Sequence, residues 1–368
     1  MKTKLATGLV ALAAVGAMTL SGCGSSERGG DTPAEGGESA AAGFEDGAKI
    51  GVALPQKTSE NWVLAENLFN DGLTEAGYEP IVQFANGGVS EQQNQIQAMV
   101  QQGVKVLVVG AIDGSQLGSQ LKAAADQGIK VIAYDRLLQN TDAVDVYEAF
   151  DNFHVGELQG QSLLEGLKER KGEGPYNIEL ISGSPDDANS KPFFEGAMSI
   201  LQPKIDDGTL VVKSGQTSQQ QTATQGWEAE NAQNRMDTIL SGNYKDADLH
   251  GVLSPNDTLA RAALTSAKQA GKDVPVLTGQ DSEVESVKSI MAGVQYSTIY
   301  KDTRELVAAT IDAVDAYKAG EEPEVNDTES YDNGVKVVPA NLLEPVIVTK
   351  ENAEETYAGD PTLEDIFK

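Results

Sequence analysis

From residue 48 onward, short runs of Val, Ile and Leu alternate with longer stretches that repeat at the helical period, and this alternation confines the chain to few folds. The runs VKVLVV (104–109) and IKVIAY (129–134) are almost continuously apolar. Strands of that kind are buried on both faces, which parallel sheets covered by helices require and half-exposed antiparallel strands do not. Strands are expected at 49–54, 80–84, 104–109, 129–134, 145–150, 177–182, 210–213, 251–253, 274–278 and 295–299. Between the first two, Trp62, Ala65, Phe69, Leu73 and Ala76 share one face of a helix predicted over 62–76. Helices stop on glycine at Gly77, Gly103, Gly128, Gly271 and Gly293, where a left-handed C-cap turns the chain into the next strand. Ten strands are too many for one compact sheet in a chain of this size, so the expected fold is α/β, with two successive doubly wound parallel-sheet lobes.

Ahead of this region lies a different composition. Lys2 and Lys4 precede an apolar run, Leu9 to Leu20, of signal-peptide length and too short to span a bilayer. The run closes on Leu20-Ser21-Gly22-Cys23, and Cys23 is the only cysteine among 368 residues. Small residues before a lone cysteine resemble the lipobox of bacterial lipoproteins, in which the thiol is acylated and becomes the new N-terminus. Residues 1–22 are thus expected to be a lipoprotein signal peptide and Cys23 the lipidation site. The acyl chains would hold the protein at the outer side of the cell membrane, each buried methylene contributing about 0.8 kcal/mol. Residues 23–46, rich in Gly, Ser, Ala and acid, are expected to be a flexible tether.

Charge and missing motifs remove several functions. The chain carries 27 basic and 56 acidic residues, a net −29 that becomes −31 when Lys2 and Lys4 leave with the leader. Nucleic acid is not an expected partner, because phosphate neutralisation needs clustered Lys and Arg. There is no GxxxxGK[ST] loop, no GxSxG elbow and no GxGxxG after the first strand, so nucleotide hydrolysis, acyl transfer and dinucleotide binding lack support. With only His154 and His250 as histidines, no transition-metal site is expected. Asp186-Asp187-Ala188-Asn189 begins like a calcium loop, but Pro192 stands where glycine is needed. No cofactor is expected.

What remains is concentrated after the strands, where ligands bind in open α/β sheets. The strand at 49–54 runs into Ser59-Glu60-Asn61-Trp62, that at 129–134 into Asp135-Arg136, and that at 145–150 into Asp151-Asn152. Those of the second half run into Ser184 to Asn189, Ser254-Pro255-Asn256-Asp257, Gly279-Gln280-Asp281 and Tyr300-Lys301. Any one of these could be a turn or a helix cap. Together they favour a site. Carboxylates accept, guanidinium donates and amides do both, which suits the vicinal hydroxyls of a sugar. Asp135 beside Arg136 is expected to stay charged within the cleft. Trp62 and Trp227 both lie outside the apolar strands and could stack on the C–H face of a pyranose.

The motifs VKVLVVGAIDG (104–114), GIKVIAYDR (128–136), FDN (150–152), NIELISGSPDD (177–187), LSPND (253–257), TGQD (278–281), QYSTIYKDTRE (295–305) and VNDTESYDNGVKVVP (325–339) resemble those of the type I periplasmic sugar-binding proteins. Within that group they are similar to the xylose-binding and multiple-monosaccharide-binding receptors of ABC importers, over roughly residues 48–350. The resemblance implies two Rossmann-like lobes joined by three hinge crossings: a first lobe of 47–152 plus 282–315 and a second of 153–281 plus 316–368. It implies sugar contacts from Trp62, Asp135, Arg136, Asn189, Trp227, Asp257, Asp281 and Lys301, with Asn61 beside them. Related receptors carry Arg-Trp where this chain has Asn61-Trp62, and Asn cannot contact an oxygen as a cation.

The expected function is a monomeric, lipid-anchored binding protein that captures xylose, glucose, galactose or arabinose and delivers it to an ABC transporter permease, without enzymatic activity. Two other readings use the same cleft. A receptor could pass sugar occupancy to a membrane sensor, and an exported glycoside hydrolase would need two carboxylates across the scissile bond.

Overall fold

The computed structural model describes residues 43–57 and 59–368, so the expected leader, Cys23 and nearly all of the tether lie outside the described residues. Twelve strands occur in it: β1 Lys49–Leu54, β2 Glu79–Phe84, β3 Val106–Val109, β4 Lys130–Tyr134, β5 Val146–Phe150, β6 Tyr176–Leu180, β7 Leu210–Val212, β8 Gly251–Leu253, β9 Val276–Leu277, β10 Ser297–Tyr300, β11 Ala340–Leu343 and β12 Val346–Thr349. The helices are α1 Glu60–Glu75, α2 Val89–Gln101, α3 Gly118–Ala125, α4 Asn152–Lys171, α5 Ser190–Asp206, α6 Gln219–Thr222, α7 Ala229–Asn243, α8 Asp257–Gln269, α9 Val284–Met291, α10 Thr303–Ala319 and α11 Ala353–Thr356.

The first sheet has the order β11-β5-β4-β3-β1-β2, and every pairing in it is parallel. Alternate residues of one strand enter different cores. Val106 and Val108 pack under α1 and α10 with Phe69, Leu73, Leu306 and Val314, whereas Leu107 and Val109 pack under α2 and α3 with Ile96, Met99 and Leu121. That two-sided burial is why these strands lack the alternation of a half-exposed sheet.

The second sheet repeats the plan as β7-β6-β8-β9, again parallel. It continues through β10, where the Tyr296 amide donates to the Leu277 carbonyl and that of Ile299 to the Gly279 carbonyl. β12 then pairs with β10 in the antiparallel sense, the one departure from the expected parallel architecture among the described strands. Val252 and Leu277 face one core, with Met236 and Leu259; Leu253 and Val276 face the other, with Leu163 and Leu201.

Three passages of chain join the lobes, from β5 into α4, from β10 into α10 and from β11 into β12. The expected partition of the C-terminal third is corrected. Residues 282–300 do not belong with the first lobe: α9 packs Val287 against Val348 and Tyr357, and β10 pairs with β12. α10 belongs to the first lobe, as expected through residue 315, because Val307 and Tyr317 enter its core; β11, expected in the second lobe, also belongs to the first, because it pairs with β5. ANLL at 340–343 is too short and too little β-branched to announce a strand, so its return to the first sheet is invisible in the sequence.

Candidate functional site

Both sheets direct the C-terminal ends of their strands toward one another, and a cavity with about 370 Å³ of empty space, open solvent at its mouth included, lies between them. Of the nine expected site residues, eight line it: Asn61, Trp62, Asp135, Arg136, Asn189, Trp227, Asp281 and Lys301.

Asp257 does not. It is fully buried beneath the wall, where its carboxylate accepts hydrogen bonds from the Glu283 amide (2.9 Å), Gln295 Nε2 (2.8 Å) and Thr298 Oγ1 (3.0 Å). Burial, with Glu283 nearby, pushes its carboxyl well above the usual range. Asn256 takes the place on the cavity wall. Its Oδ1 caps α8 by accepting from the Leu259 amide at 3.0 Å, and Asp257 is then the first helical residue, turned inward.

The expected pairing of Asp135 with Arg136 is also replaced. Arg136 Nε lies 3.0 Å from Asp187 Oδ2 of the opposite lobe, and its guanidinium donates to the Ala111 carbonyl at 3.0 Å and lies over the Trp62 ring at 5.2 Å. Asp135 faces Lys301 instead, at 3.5 Å, and Lys301 lies equally far from Asp281. The chain turns tightly at this point, with Asp135 at a left-handed φ of 60° and the Arg136 amide donating to the Tyr134 carbonyl, and the two adjacent side chains pair with different partners. Three carboxylates thus meet two cations in the cavity. Burial pushes the Asp187 and Asp281 carboxyls up, opposed by Arg136 and Lys301 respectively. Burial alone would lower the Lys301 ammonium; Asp135 and Asp281 overcome it and hold the group above the ordinary lysine value.

Asp187, Ser59, Phe193, Asn256 and Gln280 also line the cavity and were not singled out. Four of them sit in the polar strand-end runs already noted, so the run was legible and the choice within it was not. Asp187 is the most connected. Besides Arg136 it accepts from Trp227 Nε1 at 3.0 Å and from the Asn189 amide at 2.9 Å. The Trp227 ring is pressed against Gly183, where an added Cβ would fall 2.2 Å from the ring, so only glycine admits the indole there. Asn189 uses both ends of its amide within the protein, donating to the Asp135 carbonyl (2.8 Å) and accepting from Asn152 (3.2 Å).

Backbone strain gathers at the same place. Asp135, Trp227 and Asp281 have φ of 60°, 57° and 89°, a region non-glycine residues rarely occupy, and such outliers persist where surrounding structure holds them. Hydrogen bonds supply that hold at Asp135, whose amide donates to the Glu148 carbonyl at 2.8 Å and whose own carbonyl accepts from Tyr147 at 2.6 Å.

Two doubly wound lobes, three connections and a polar, tryptophan-walled cavity at the facing strand ends define a solute-binding receptor. The chain belongs to the family described as the periplasmic binding protein domain, whose profile matches residues 50–322. It is 50% identical over 315 residues to the multiple sugar-binding periplasmic receptor ChvE of Rhizobium radiobacter, covering 84% of this chain and 89% of that one. It is 34% identical to the D-xylose-binding periplasmic protein of Escherichia coli over 85% of this chain and 90% of that one. An ABC transporter solute-binding protein from Clostridium phytofermentans, solved with bound β-D-glucose, matches with a TM-score of 0.83 and 41% identity over 87% of this chain and 100% of that one.

Proposed function

We propose that this chain binds one monosaccharide, an aldose of the xylose, glucose, galactose or arabinose class, between its lobes and delivers it to an ABC transporter permease. The observation that carries the reading is the convergence of Trp62, Trp227, three carboxylates and two cations in one small interlobe cavity. Hydroxyls need fixed donors and acceptors, and the C–H faces of the ring need flat apolar surface; this wall offers both. Contacts to the sugar are assigned to Trp62, Asp135, Arg136, Trp227, Asp281 and Lys301. The relatives supply the chemistry of the ligand, since one is named for multiple sugars, one for D-xylose and one holds β-D-glucose.

Asn61 is proposed to set which aldose fits, because an amide there reaches less far than a guanidinium and carries no charge. Cys23 is proposed to carry the lipid that holds the receptor outside the cell membrane. Replacing it, Cys23→Ala, is expected to release the protein from the membrane fraction or leave it unprocessed; a variant of mature size that stays membrane-bound contradicts the anchor. The sugar reading is tested by incubating the purified protein with an equimolar mixture of aldoses, removing unbound solute and identifying what denaturation releases by mass spectrometry. One or two of the four named sugars are expected, and recovery of none of them from folded protein overturns the proposal.

A further inference from the structure

We infer that Gln280 is a further ligand-binding residue, whose amide oxygen takes a hydrogen bond from one hydroxyl of the bound sugar; the inference rests on the monosaccharide reading above. Gln280 follows β9, lines the cavity and is 3% exposed. Its Oε1 is buried and accepts no hydrogen bond from the protein. Buried polar atoms are nearly always paired, so an unpaired one in a residue that lines a cavity points to a partner that arrives with the ligand. The contrast with its neighbours is direct: Asp187 accepts from Arg136, Trp227 and the Asn189 amide, and Asp281 faces Lys301, whereas Gln280 Oε1 has no donor.

The backbone that carries the Gln280 side chain is held on both sides. The Gln280 carbonyl accepts from the Asp257 amide at 3.0 Å, the Asp281 amide donates to the Ile299 carbonyl at 2.9 Å, and Gln159 Nε2 donates to the Gly279 carbonyl at 3.2 Å. An added Cβ at Gly279 would lie 1.9 Å from Asp257 Oδ1, so the segment is packed to contact from below. Asp281 and Ser282 follow with φ of 89° and 51°, two successive left-handed residues that fix the direction in which the turn leaves the wall. Asp257, the residue expected to touch the sugar, therefore serves from behind as the support of this turn. An acceptor held in place without a donor gains a full hydrogen bond when a hydroxyl enters, while acceptors already paired gain less.

The test is Gln280→Leu, which keeps the volume and removes the polar atoms. The thermal midpoint without sugar is expected to stay or rise, because an unpaired buried oxygen is gone, while affinity for the sugar that wild type binds falls about three- to tenfold. Titration with the monodeoxy analogues of that sugar is expected to show one position whose removal weakens wild type and leaves the variant unaffected. Gln280→Met serves in its place if the leucine variant does not fold. Unchanged affinity, or the same penalties across the deoxy series in both proteins, overturns the inference and leaves sugar binding standing. A wild type that binds no aldose overturns the monosaccharide reading itself, and with it the role of Gln280.

Discussion

At the scale of residues, Asp135 shows how charge and backbone conspire at the site. Its carboxylate is presented from a left-handed backbone position toward Lys301, and its carbonyl is held by Tyr147 of β5 and by Asn189 of the opposite lobe. Asn tolerates that conformation as well as Asp does, so Asp135→Asn removes the charge and leaves the turn intact. Hydrogen bonds to charged groups contribute about 1.5–3 kcal/mol, so the variant is expected to bind sugar at least about tenfold more weakly in a calorimetric titration. Its unliganded thermal midpoint should barely move; a large drop with unchanged affinity would assign Asp135 to structure instead. Residue types after the strands were enough to mark the polar runs and to single out Asp135, Arg136, Trp62 and Trp227, because chain topology brings strand ends together whatever the side chains do; Asn189, Asp281 and Lys301 were picked out within their runs by the family resemblance. The choice between Asn256 and Asp257 was not legible. It depends on which of the two caps α8, and both residue types cap helices well.

At the scale of elements, the parallel strands of the first half could be read from their continuous apolar runs, because burial on both faces leaves that mark. β11 left none, and its place in the first sheet rests on partners distant in sequence. One of those contacts carries a titration. Glu148 of β5 stands opposite Asn341 of β11, whose Nδ2 donates to Glu148 Oε2 at 2.9 Å. Burial pushes the Glu148 carboxyl up from 4.5 to about 8, against the Asn341 hydrogen bond and with Asp312 adding to the rise. The folded protein therefore binds this proton more tightly than the unfolded chain does. The resulting stability is fully present below the unfolded value of 4.5 and is lost as pH rises through about 8. Glu148→Gln keeps an acceptor for Asn341 and has no proton to lose. It should melt above wild type at about pH 8.5, with the difference shrinking toward about pH 5. A difference that does not change with pH would show that Glu148 ionises as an ordinary glutamate. β12 is also absent from the expected strands, although its sequence VIVT is β-branched, and its antiparallel sense does not follow from composition.

At the scale of the molecule, the cavity is made by both lobes and joins them. Arg136 of the first lobe meets Asp187 of the second, Asp135 meets Lys301 and Asn189, and at the rim Glu60 Oε2 accepts from the Val284 amide at the start of α9 at 3.0 Å. A solute held by residues of both lobes favours their apposed arrangement by as much as it binds that arrangement better than the open one, which gives a permease a shape to recognise. An aldose bound in this cavity lies beside Trp62 and Trp227, and tryptophan emission reads its entry directly. Wild type, Trp62→Phe and Trp227→Phe are titrated with xylose, glucose, galactose and arabinose, on protein first freed of retained solute by partial unfolding and refolding. A saturable change in emission is expected for at least one of these sugars in wild type. The change is expected to be altered or lost in one single variant, with affinity lowered by about 0.5–1.5 kcal/mol. Folded wild-type protein that gives no saturable response to any of the four would contradict aldose binding in this cavity.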